Sequence, residues 1–146
     1  LPPVIVSSRS HSDTSAHTVV SSGDSCGSWY AVGWDGTDYA FCGAWEFQID
    51  GTPGSNDMPG RWVLYTVPDG TQTLTERLRV ASTGAVGFGG ANFGTAGQYL
   101  KSGGSTTVPA WATFALTDLP SQSADTFLGR LAGAGTPTAQ LLADID

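Results

Sequence analysis

The chain has 146 residues, a net charge of −7, twenty Gly and only six Lys plus Arg. So few scattered cations exclude a phosphate-backbone binder, which must cluster them, so nucleic acid is not an expected partner. At this length one or two small domains fit, each near the lower limit for an independent core, so a lone monomer would be marginal.

The opening residues, Leu1 to Val6, lack the basic start and the length of a secretory signal, and no apolar run reaches the roughly 20 residues that span a bilayer. The expectation is a soluble chain without membrane insertion, processed or cut from something longer, since it has no initiator Met. Short strands are expected at Val4 to Ser7 and His17 to Ser21, with a polar loop between. His11, Asp13 and His17 are the only grouping with metal-ligand chemistry. On a Ser-rich loop they lack rigid convergence, so no metal is assigned and solvated loop residues are the simpler reading.

From Asp24 to Asp50 the alternation is informative. Trp29 to Trp34 and Tyr39 to Ile49 flank Asp35-Gly36, and a two-residue turn there pairs Trp34 with Thr37, Trp29 with Cys42 and Cys26 with Trp45. In that register Cys26 and Cys42 do not face each other, which leaves two free buried thiols as core filler, compatible with a reducing compartment. Contact through another strand stays open. Tyr39, Phe41, Trp45, Phe47 and Ile49 fall on one face with Tyr30, Val32 and Trp34, and Ala40, Cys42, Ala44, Glu46 and Gln48 fall on the other.

Residues 61–67 (RWVLYTV) form a strand, Pro68-Asp69-Gly70 a reversal, and Leu74 to Val80 a return strand of period two. Packing the bulky face of the first hairpin onto this second one gives a small β-sandwich or half of one. The exposed-aromatic alternative is a glycan-stacking platform built from Trp29, Trp34, Tyr39, Trp45 and Trp62. Beyond Gly90, short apolar words alternate with Gly and Ser. Strands are expected at Gln98 to Lys101, Val108 to Phe114 and Thr126 to Ala132, then a short helix from Ala139 to Asp144 with Thr136 as N-cap and Pro137 in the first turn. Material this thin closes a core only by winding several copies round one axis.

Catalysis finds no support. The chain has two Glu, Glu46 and Glu76, and eleven Asp set mostly in turn words. A facing carboxylate pair does not stand out, there is no Gly-x-Ser-x-Gly elbow, and both histidines precede residue 18, so none lies downstream. Gly84 to Gly90 lacks the Lys and helix of a phosphate loop. The chain is read as a non-enzyme without cofactor.

Four successive stretches, one of them in two parts, carry a family resemblance. Residues 50–70 (DGTPGSNDMPGRWVLYTVPDG) and 75–90 (TERLRVASTGAVGFGG) resemble a segment of tailed-bacteriophage tail fibres and tail spikes, with Leu78 and Phe88 in place of the usual Met and Ile. Residues 7–39, 94–111 (GTAGQYLKSGGSTTVPAW) and 123–145 (SADTFLGRLAGAGTPTAQLLADI) resemble neighbouring words of the same proteins, so the likeness covers nearly the whole chain. It implies a structural virion protein, assembled in the host cytoplasm as a homotrimer beside other virion proteins and supporting attachment to a host-surface glycan or protein. The expected architecture is all-β. A hairpin-based sandwich or β-prism occupies residues 1–90, and a Gly/Ser-rich intertwined fibre segment with a short terminal helix occupies residues 91–146.

Overall fold

A computed structural model describes residues 5–11, 16–115, 118, 126–129 and 138–141. The chain is all-β, built from antiparallel sheets, with no α-helix among the described residues. It divides into two compact units, Leu1–Ala112 and Thr113–Asp146.

The first unit is built on a five-stranded meander of β1 (Ser25–Trp34), β2 (Tyr39–Ile49), β3 (Gly60–Thr66), β4 (Thr75–Val80) and β5 (Val86–Phe88), each strand paired with the next in sequence. Aromatic and β-branched residues in alternation dictate the first four strands. The two hairpins therefore lie edge to edge in one sheet, where stacking face to face had been expected. The reason is the pairing of β2 with β3 along Gly43 to Ile49, which uses the edge that each hairpin presents to the other.

The turn between β1 and β2 differs from the expected one. Asp35 N donates to Asp38 O at 3.0 Å, so the central residues are Gly36 and Thr37, with Gly36 carrying a positive φ of 103°. The Asp35 carboxylate fixes this choice by accepting from Thr37 N at 2.7 Å and Asp38 N at 2.8 Å. Those two backbone donors, Asp38 N first, hold its pKa below the ordinary carboxylate value. Trp34 consequently pairs with Tyr39, not Thr37, and after an irregularity at Cys42 the register runs Ala31 to Gly43 and Trp29 to Trp45. Cys26 lies at a second irregularity, between the pairs Ser25 to Gln48 and Gly27 to Phe47. Both thiols are free, but Cys42 is exposed and Cys26 only half-buried, which corrects the expectation of two buried ones.

Val4 lies outside the described residues. Residues 5–7 and 17–21 form no strand. Residues 5–11 instead follow the outer edge of β1 through side chains: Ser7 Oγ donates to Cys26 O, and an Arg9 guanidinium nitrogen donates to Ser25 O at 3.1 Å. Asp24 gathers Arg9 at 3.4 Å and His11. Its pKa is lowered, chiefly by the Ser21 backbone N–H, with Arg9 and His11 adding to that effect against the opposing cost of burial.

The apolar side chains buried among the described residues are Val20, Ala44, Ile49 and Val63. Next to the sheet, β6 (Tyr99–Lys101) and β7 (Ala110–Ala112) form a two-stranded ribbon. Trp111 ties it to β5, its ring 6.2 Å from Phe88 and its Nε1 donating to Asn92 O at 3.0 Å. In the second unit β8 (Thr126–Gly129) pairs with β9 (Thr138–Leu141). Residues 139–141, expected to begin a helix, are thus strand, because they supply the antiparallel partner of β8. Thr136, Pro137, residues 130–132 and residues 142–144 of the expected elements lie outside the described residues.

Candidate functional site

Residues paired across an antiparallel ladder share a face, so the pairings assign every sheet side chain to one side or the other. One face collects Trp29, Trp45, Phe47, Trp62, Leu64, Leu78, Val80, Val86 and Phe88, with Gly27, Ala31 and Gly43 as its small members. The other collects Glu46, Gln48, Arg61, Val63, Tyr65, Glu76 and Arg79.

Two irregularities make this division. In β4 an extra residue, Arg77, lies between the pairs Leu64 to Leu78 and Tyr65 to Glu76. A bulge restores Glu76 to the face of Arg79, and the two form a bidentate pair with bonds of 2.8 and 2.7 Å. The Glu76 hydrogen bond raises the Arg79 pKa. Arg77 itself turns to Thr66 Oγ1 at 2.8 Å. In β2 the extra residue is Cys42, and its effect is larger. Tyr39 and Phe41 move to the polar face beside Trp34 and Tyr30, whereas Trp45 and Phe47 stay on the apolar one.

The five aromatics proposed for glycan stacking are therefore not one row. Trp29, Trp45 and Trp62 belong to the apolar face, where Trp45 sits 5.9 Å from Phe47 and 6.5 Å, edge-on, from Trp62. Trp29 keeps 62% of its surface exposed, Trp45 41% and Phe47 54%. Trp62 is half-buried, and its Nε1 has no hydrogen-bond partner among the described residues. Trp34 and Tyr39, 61% and 69% exposed, stand alone at the hairpin tip with ring centroids 5.4 Å apart. That tip extends past the last β3 pair, Gly43 with Thr66.

A groove of about 500 Å³ opens on the apolar face between the N-terminal segment and the sheet, lined by Ile5, Ser7, Gly27, Trp29, Trp45 and Phe47. At Gly27 the two come close, since a Cβ there would lie 3.2 Å from Ser7 Cβ, a tight contact that Ser7 would have to ease by a few tenths of an ångström.

The polar face is a continuous hydrogen-bonded chain. Tyr30 OH donates to Glu46, Gln48 Nε2 donates to Glu46 and to Tyr65 OH (3.0 Å), Arg61 Nε donates to Gln48 Oε1 (2.9 Å), and an Arg61 terminal nitrogen meets Asp50 at 3.0 Å. Asp50 closes the chain by accepting from Ser82 N at 2.7 Å. That N–H above all, then Arg61, holds the Asp50 pKa below the ordinary carboxylate value, against burial. The bond to Glu46 raises the Tyr30 pKa, and burial raises that of Tyr65. Both glutamates are committed to these structural bonds. Of the possible metal ligands, His11 is engaged by Asp24, His17 lies 3.4 Å from Ser10 Oγ, and Asp13 is outside the described residues.

Pairing alone could not have been read from period two, because each bulge inserts one residue without a local signature. The only hint was the alternation itself. It breaks at Cys42-Gly43, where two small residues interrupt an otherwise aromatic series. No protein-family model matches the sequence, and no curated protein matches it.

Proposed function

We propose that the chain is a structural segment of a tailed-bacteriophage fibre or spike, acting as a homotrimer that supports attachment of the virion to its host and performing no chemistry of its own. The sequence words at residues 7–39, 50–70, 75–90, 94–111 and 123–145 favour that family. One physical observation carries the assembly: a five-stranded sheet buries few apolar side chains while Trp29, Trp45 and Phe47 remain open to solvent. An isolated sheet of this kind has half an interior, and further copies complete it as a sandwich or prism between chains. Light scattering at native pH should give three times the 15.1 kDa of one chain. A stable monomer would overturn the reading.

A carbohydrate-binding role is the second reading, and the tip favours it. Trp34 and Tyr39 stand edge-on to each other and well exposed at the hairpin tip, where an open ring face can take a sugar ring. Binding on a glycan array that disappears in Trp34→Ala supports it, and binding unchanged in that variant rejects it.

A further inference from the structure

We infer that the apolar face of the five-stranded sheet, centred on Trp45, is the surface through which copies of this chain meet. This rests on the assembly reading above and goes further by separating the aromatics into those that assemble and those that do not. The occupant is a second copy, for three reasons.

The first is electrostatic. At a net charge of −7, two copies repel wherever ionised groups oppose each other. Among the described residues the apolar face carries no ionised side chain except Arg77, which bonds to Thr66 at its margin, while Glu46, Arg61, Glu76 and Arg79 all lie on the opposite face. Self-contact centred on Trp45 therefore brings in only Arg77, held at the margin by Thr66, and opposes none of the charges of the other face.

The second is area. With 150–250 Å² per aromatic side chain, the exposed fractions of Trp29, Trp45 and Phe47 amount to roughly 300 Å². Ile5, fully exposed at the groove mouth, adds to this. A standard contact takes about 800 Å² from each partner, with its centre enriched in aromatics, so this patch supplies the centre of one.

The third is shape. The rings stand beside the small Ala31 on the same face, and the groove lined by Ile5, Trp29 and Phe47 is open to a side chain from outside. Knobs and hollows on one surface are what self-association requires. The tip residues take no part: Trp34 lies opposite Trp29 by period two in β1, and Tyr39 is moved to that side at Cys42.

The test compares native mass at micromolar concentration for the unaltered chain, Trp45→Glu, Trp29→Ser and Trp34→Ser. Circular dichroism confirms that each is folded. Acrylamide quenching of tryptophan fluorescence across a dilution series of the unaltered chain provides a reading independent of substitution. The inference expects a threefold fall in mass for Trp45→Glu and a weaker complex for Trp29→Ser. Trp34→Ser should keep the parental mass, and quenching should rise on dilution. Should the unaltered chain be oligomeric and both Trp45→Glu and Trp29→Ser keep its mass, this face is not the contact, while the assembly reading stands. A monomeric unaltered chain overturns both. If Trp45→Glu does not fold, Trp29→Ser and the dilution series decide, and quenching that is flat across the dissociation range rejects the inference.

Discussion

Asp50 offers the sharpest test of what holds the sheet together. It follows β2, receives Arg61 from β3 at 3.0 Å and accepts from the backbone of Ser82, thirty-two residues on, at 2.7 Å. The two ion-pair side chains are about 15% exposed, 14% for Arg61 and 16% for Asp50, so solvent screens the pair only in part. Hydrogen bonds to a charged group contribute about 1.5–3 kcal/mol each, and residual exposure lowers that. Asp50→Ala removes both bonds and leaves Arg61 with Gln48, so the expected loss is about 2 kcal/mol. For a unit of this size, that lowers the melting temperature by about 8–12 °C. Asp50→Asn keeps an acceptor for Ser82 and should lose about half as much.

The pH dependence follows from the direction of the Asp50 shift. Its folded pKa is depressed, so between the folded and unfolded values the unfolded chain binds more protons. The stabilisation is complete above the unfolded value of about 3.9 and disappears as pH falls through the folded pKa. Scanning calorimetry at fixed protein concentration from pH 7 to pH 2 should show the gap between parent and Asp50→Ala closing below about pH 4. A gap under about 2 °C at pH 7, or one that persists unchanged at pH 2, would refute the clasp.

Three further outcomes are expected. Val63 is fully buried beneath the polar network, so Val63→Ala should cost about 2 kcal/mol by urea titration, with an unchanged m-value. At Gly94, φ is +68° and a Cβ would lie 2.6 Å from the Trp111 ring. Gly94→Ala should displace Trp111 from Phe88, altering the near-ultraviolet circular dichroism and costing about 2 kcal/mol. Cys42, exposed at its bulge, should react with a maleimide at least about tenfold faster than half-buried Cys26, followed by mass spectrometry of single Cys→Ser variants.

Much of the strand content was legible in the sequence. Tyr39 to Ile49 matches β2 end to end, Arg61 to Val67 overlaps all of β3 but Gly60, and Tyr99 to Lys101 falls within the expected Gln98 to Lys101. Short β5 was missed, because Val86-Gly87-Phe88 inside a glycine-rich run has too few residues to show a period. The β9 strand was misread as helix from a Pro-led start, since Thr138 to Leu141 has no alternation strong enough to overrule the cap signal. Of the candidate site, the aromatic identities were visible but their grouping was not.

Composition and alternation by themselves determined that this protein is β-structured, anionic and sets its aromatics in strands. Only the tertiary structure decided that Trp45 shares a face with Trp29 and Trp62 and that Tyr39 leaves it. The reason is arithmetic in the backbone: side chains alternate with period two, so one inserted residue at Cys42 reverses the side of everything beyond it. Whether such a residue is inserted depends on what the neighbouring strand pairs with. The Asp50 to Ser82 bond is of the same kind, since nothing local to either residue announces a partner across two intervening strands.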